Sequence, residues 1–164
     1  MIPSDERERR REAARFFKAA FARHMNGEVD HAILLYTKSL EIIPTAEAHT
    51  FRGWSYSLRR EFGRAIEECQ KAIDLDPSFG NPYNDIGAYL IQQGKLDEAI
   101  PWLMQALKAR RYNARCHPYV NLGRICEMRL EWSEAIRYYE LALKEAPGYM
   151  LAQESLQRLV SMRN

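Results

Sequence analysis

The chain has 164 residues, 46% hydrophobic and 28% charged, enough apolar surface for one packed domain with a water-facing exterior. With 24 Lys and Arg against 22 Asp and Glu the net charge is +2, so no global field argues for nucleic acid or a membrane surface. Three cysteines, Cys69, Cys116 and Cys126, suit a reducing compartment rather than a disulfide framework, and no apolar run reaches the roughly 18 residues of a spanning helix.

The chain opens Met1-Ile2-Pro3-Ser4-Asp5-Glu6, with charges where a signal peptide needs an apolar stretch. A cytoplasmic protein is expected. Ser4 or Asp5 can cap a first helix, and Asp5 with Glu8 resembles a capping box. The pattern predicts that this helix runs to about His24. Its start, Glu6-Arg7-Glu8-Arg9-Arg10-Arg11-Glu12, is all charged and reads as a solvated extension with pairs three or four apart. A basic docking stripe is the lesser alternative.

From there a pattern recurs about every 34 residues. Ala32-Ile33, Ala65-Ile66, Ala99-Ile100 and Ala135-Ile136 set the beat. A small residue precedes each Ala by twelve places: Ala20, Gly53, Gly87 and Gly123. Tyr36, Cys69, Leu103 and Tyr139 follow by four, and Ser39, Ala72, Ala106 and Ala142 by seven. Pro44, Pro77 and Pro147 close three of the units, with Arg111 in the corresponding place of the third. Proline cannot continue a helix, so each unit reads as two helices and two turns. Asn26-Gly27 and Gln93-Gly94 supply left-handed turn residues, whereas Arg60 and Leu130 occupy the same place in units two and four and need another solution. Asn81-Pro82-Tyr83 and His117-Pro118-Tyr119 start two helices alike.

Two extra residues within Tyr112-Asn113-Ala114-Arg115 predict a looser joint between units three and four. Lys108, Arg110, Arg111 and Arg115 crowd this joint. They read first as a solvated helix end, second as a docking point for an acidic partner or nucleic acid. A last helix is predicted from about Tyr149 to Met162, with Leu151, Ala152, Leu156, Leu159 and Val160 on its apolar face. On this reading the chain is complete, with no catalytic domain attached.

These residues resemble the tetratricopeptide repeat. The resemblance rests on the pairs Arg52-Gly53, Ile86-Gly87 and Leu122-Gly123, on the Ala of each second helix, and on the closing Pro. Glu98-Ala99-Ile100 and Ala72-Ile73-Asp74-Leu75-Asp76-Pro77 are similar to the family's common wording. It implies an all-α fold: a right-handed superhelical stack of four helix-turn-helix units at about 13–45, 46–79, 80–115 and 116–149, plus a C-terminal capping helix, in a single domain over 1–164. It also implies a concave groove lined by the first helix of every unit. Following three- and four-residue spacings, the exposed faces are Ala14, Phe17, Phe21 and His24; Glu47, Thr50, Trp54 and Ser57; Asn81, Asn84, Ala88 and Ile91; and His117, Val120, Arg124 and Glu127. The candidate binding residues are Phe17, Phe21, Trp54, Asn81, Asn84, Ile91, His117 and Arg124. Aromatic residues and arginine often dominate interface energy, and asparagine amides can hold a peptide backbone. The expectation is an extended or helical protein segment with an apolar anchor near Trp54 and a carboxylate near Arg124. The competing possibility is that Phe17, Phe21 and Trp54 pack on one another.

Some members of the family grip the acidic tail of heat-shock chaperones with Lys and Asn in one repeat, Asn in the next, and Lys and Arg in a third. Here the first two places hold Phe17 and Phe21, Thr50 and Trp54, or Asn84 and Ala88, depending on the starting unit. Asn121 alone matches the second clamp repeat from unit three, so no register supplies the clamp. Cys116 and Cys126 share a helix but are ten residues apart, about 15 Å at 1.5 Å per residue, too far for one metal. No phosphate loop, nucleophile elbow or zinc-protease motif is present. The expected function is a non-catalytic interaction scaffold or adaptor without cofactor or metal, whose partner is a protein or peptide rather than a membrane or nucleic acid. Homo-oligomeric assembly through the terminal helix or the Phe17/Phe21 surface is the alternative.

Overall fold

The computed structural model describes residues 4–162 and, among them, nine helices. They are α1 (Ser4–Met25), α2 (Val29–Ile42), α3 (Ala46–Leu58), α4 (Phe62–Leu75), α5 (Asn81–Gln92), α6 (Leu96–Lys108), α7 (Cys116–Met128), α8 (Trp132–Glu145) and α9 (Met150–Met162). Each helix packs on the next, and the strongest associations are within α1/α2, α3/α4, α5/α6 and α7/α8. First helices also touch across repeats, α1 on α3, α3 on α5 and α5 on α7. The result is an all-α superhelical stack with these first helices side by side.

The recurring residues are what make the pairs close. Ala32, Ala65, Ala99 and Ala135 are fully buried, as are Tyr36, Cys69, Leu103 and Tyr139. Gly87 shows why the small place is small: a Cβ there would lie 2.5 Å from Leu103 Cδ2 and 2.6 Å from its Cγ. The central core joins Tyr56, Phe62, Cys69, Ile86, Leu90, Leu103 and Ile125 across α3 to α7. A second cluster unites α7, α8 and α9 around Tyr139 and Leu159.

The turns use two solutions. Gly27 and Gly94 sit at φ of 78° and 75°, conformations that cost glycine nothing. Arg60 and Leu130 adopt the same left-handed geometry, φ 61° and 62°, as side-chain-bearing residues. Each carries a penalty of about 1–2 kcal/mol that the surrounding stack imposes. At the N-terminus α1 is already helical at Ser4, so Asp5 lies inside the first turn. The cap read at Ser4 falls on a side chain outside the described residues.

The insertion after α6 is tied back to the units before it, while α6 and α7 form the weakest association of any two consecutive helices, as the looser joint expected between units three and four requires. The Arg111 amide donates to Ser78 O (2.9 Å), and Gly80 N donates to Arg111 O (3.1 Å). The Arg111 guanidinium donates to Asp76 Oδ2 (2.9 Å) and Glu47 Oε1 (2.7 Å) and lies 4.2 Å over the Phe79 ring. The residue that replaces proline is therefore the clamp that holds its own insertion. Arg115 donates to Ala109 O (3.1 Å), and Lys108 and Arg110 are exposed alongside the half-exposed, ion-paired Arg111. In α9, Ala152, Ser155 and Leu159 face inward, while Leu151 and Val160 are exposed rather than buried.

Candidate partner-binding cleft

The side-by-side first helices leave a cleft of about 380 Å³ between α3, α5 and α7, within the usual range for ligand-binding pockets. From α3 it takes Thr50, Phe51, Trp54, Ser57 and Leu58. From α5 come Asn81, Asp85, Ala88, Tyr89 and Gln92, and from α7 comes His117. Thr45 starts α3 by accepting the Ala48 amide (3.2 Å), which fixes the rotation of the helix that carries Trp54.

Trp54 is 38% exposed. Its ring packs at a tilt against His24, centroid to centroid 4.0 Å, and against Phe51 at 5.9 Å. His24 is buried with Nδ1 2.8 Å from Ser55 Oγ, and burial holds its pKa below the usual histidine value. The wall behind Trp54 is thus uncharged at neutral pH. His117, at the cleft rim, packs 5.3 Å from Tyr149, and its partial desolvation also lowers its pKa.

Asp85 is the residue that sequence reasoning missed. Burial raises its carboxyl from 3.8 to about 7, opposed only by the Asn84 amide, whose Nδ2 donates to Asp85 Oδ1 at 3.4 Å. Asn84 in turn accepts from Asn121 Nδ2 at 3.0 Å. A chain of amides from α7 through α5 therefore orients the carboxyl. The sequence did carry a signal: α5, Asn81–Gln92, contains Asp85 and no Lys or Arg, so the charge has no counter-ion on its own helix.

The eight expected contact residues separate into groups. Trp54, Asn81 and His117 line the central cleft. Asn84 is only 7% exposed and its amide is engaged by Asn121 and Asp85, so it acts behind the surface rather than on it. Ile91 is 5% exposed and belongs to the central core, not to the groove. Side chains on a helix lean toward its N-terminus, so the groove stripe on α5 runs through 85, 88 and 92 rather than 84, 88 and 91. Phe17 packs edge-on against Tyr36 and Phe51, each at 5.5 Å, and Phe21 against Phe51 at 5.6 Å. Phe51 is the hub that joins both to Trp54. Arg124 borders a separate shallow cleft with Tyr139, Leu151 and Arg158, away from Trp54. Val120 and Thr50, also placed on the exposed faces, are buried.

Among the described residues no cluster of three or more His, Cys, Asp or Glu is placed to hold a metal. None of the described helices is long and apolar enough to cross a membrane.

The paired helices, their buried Ala and Gly places and the shared concave face are one repeating unit. Family models of the tetratricopeptide repeat match residues 46–79 and 79–144. The chain is a tetratricopeptide repeat protein. It is 28% identical over 114 residues to small glutamine-rich tetratricopeptide repeat-containing protein 2 of Saccharomyces cerevisiae, covering 69% of this chain and 33% of that protein. It is 29% identical over 119 residues to the type IV pilus assembly protein PilF of Pseudomonas aeruginosa, covering 72% of this chain and 47% of PilF. This repeat protein therefore spans less than half the length of these two curated relatives. The solved structure of P. aeruginosa pilF superposes with a TM-score of 0.87 at 23% identity, over 95% of this chain and 71% of that one. At that identity the likeness is one of fold.

Proposed function

We propose that this tetratricopeptide repeat protein is a non-catalytic scaffold that holds a segment of a protein partner in the cleft between α3, α5 and α7. The observation that carries the reading is the cleft itself: about 380 Å³, walled by a partly exposed Trp54 and floored by polar groups from three helices. An exposed tryptophan backed by rigid rings is the kind of anchor that concentrates interface energy. Asn81, Gln92 and Ser57 offer the amides and hydroxyl that an extended backbone can pair with. The reading keeps the protein in the cytoplasm, which the three buried free thiols of Cys69, Cys116 and Cys126 support.

Selection from a library of random linear peptides tests the reading. Wild type is expected to enrich a peptide family that a folded Trp54→Ala variant does not. Identical enrichment by the two proteins, or none by either, overturns it.

A further inference from the structure

Two carboxyls in the central repeats are withdrawn from water, Glu68 buried and Asp85 partly buried, and their surroundings differ. Glu68 on α4 is held by His49 (2.8 Å), Arg52 (2.8 Å) and Lys71 (2.9 Å). Its charge is balanced within the protein. Asp85 has no cation within ion-pair distance among the described residues, only the Asn84 amide at 3.4 Å. The titratable groups around it are Cys69 from α4, Tyr89 on α5, Tyr112 from the joint and His117 across the cleft, and none of them supplies a fixed positive charge.

An uncompensated carboxyl in a partly desolvated cleft is costly unless something outside the chain completes it. The same cleft presents the ring of Trp54, and an aromatic face beside a carboxylate is a recurrent receptor for a guanidinium or ammonium. From this juxtaposition we propose that the cleft receives an arginine or lysine side chain of the partner protein, with Asp85 as its counter-charge and Trp54 as its flat wall. The inference rests on the cleft being the partner site. It gives the ligand the opposite sign from the acidic tails that the family's Lys- and Asn-based clamp takes, a clamp whose residues no register of this chain supplies. The Asn121–Asn84–Asp85 relay then has a purpose: it holds the carboxyl toward the cleft without neutralising it.

The test is a titration of the full, isotope-labelled chain with four pentapeptides, acetyl-Gly-Gly-Xaa-Gly-Gly-amide, where Xaa is Arg, Lys, Gln or Glu. The reporters are the Trp54 indole N–H and the Asn81 and Gln92 side-chain amides. The Arg and Lys peptides are expected to shift all three reporters, and the Gln and Glu peptides are not. Asp85→Asn, which keeps shape and removes the charge, is expected to weaken the Arg peptide by about tenfold or more. Lowering pH from 8 to 6 removes about nine-tenths of the carboxylate at a midpoint of about 7 and is expected to weaken it by a similar factor. Repeating the pH series in a His117→Gln background separates Asp85 from the histidine. Equal or stronger shifts with the Glu peptide, unchanged binding by Asp85→Asn, or no shift with any peptide overturns the cation site. The failure is distinguishable from failure of the cleft itself, because the library selection depends on Trp54 and not on the sign of the anchor.

Discussion

Replacing Glu68 by Gln tests the electrostatics of the stack, because it keeps the shape of the side chain and removes the charge on which three partners converge. Only 5% of the Glu68 side chain is exposed, as are 14% of Arg52 and 12% of His49. Burial alone would raise the Glu68 carboxyl; the hydrogen bonds from His49 and Lys71 and the charge of Arg52 outweigh it and bring the group to about 2 from 4.5. A carboxyl held that far down contributes about 3 kcal/mol of stability at neutral pH. Because the folded value lies below the unfolded one, the contribution is complete above about pH 5 and is lost as pH falls from 4.5 toward 2; near pH 3 only about 1 kcal/mol remains. Urea unfolding of wild type and Glu68→Gln, followed by circular dichroism at pH 7 and pH 3, reads the difference directly. A gap of about 3 kcal/mol that narrows to about 1 is expected. A gap below about 1 kcal/mol at pH 7, or one that does not change with pH, refutes the reasoning.

Asp85→Asn should behave in the opposite sense. Its folded carboxyl is raised to about 7, so the wild-type penalty is absent below about 3.8 and complete above 7; the variant is expected to be more stable than wild type at pH 8 and equal to it at pH 3.5, by the same urea assay. Gly87→Ala drives a methyl into Leu103 and is expected to cost about 1–3 kcal/mol. The double variant with Leu103→Ala should lose less than the sum of the two single changes, and additivity would contradict the close approach. Leu130→Gly should stabilise by about 1 kcal/mol by relieving the left-handed geometry, and a loss of stability would show the leucine side chain to be worth more than the strain. Arg111→Ala removes a half-exposed clamp and is expected to cost about 1 kcal/mol globally, with faster amide exchange at Arg111 and Gly80 as the local signature.

What was readable from sequence divides along physical lines. The helix pairs were legible because each depends on a local rule: a small residue where backbones cross, a large one four places on, a proline at the end. Four in-phase copies made the rule visible. The turns at Arg60 and Leu130 were flagged as anomalous but not solved, since nothing local shows that the stack will force them into the geometry glycine takes at Gly27 and Gly94. At the joint, the anchoring of Arg111 was not legible. Arg111 is held by Asp76 and by Glu47, which is 64 residues away, and no periodicity reports an ion pair over that separation.

In the cleft, the groove implied by the family resemblance, laid out by helical spacing, brought Trp54, Asn81 and His117 together and led to Ile91 instead of Gln92. A one-residue error in helical phase is a rotation of about 100°, enough to exchange a core residue for a groove residue. Asp85 lay on the branch not followed, next to Asn84. The absence of any Lys or Arg on α5 was the available sign that this charge has no counter-ion on its own helix. The pairing of Phe17 and Phe21 with Phe51 likewise needed the third ring, which the spacing rule did not place on the groove.

The measurement that bears most directly on the account is calorimetric titration of one library-selected peptide into wild type and into a Trp54→Ala, Asn81→Ala variant whose helix content matches wild type. The account predicts that the variant loses at least about tenfold in affinity, roughly 1.4 kcal/mol or more. Equal affinities for the two proteins would place the partner on another face and contradict it.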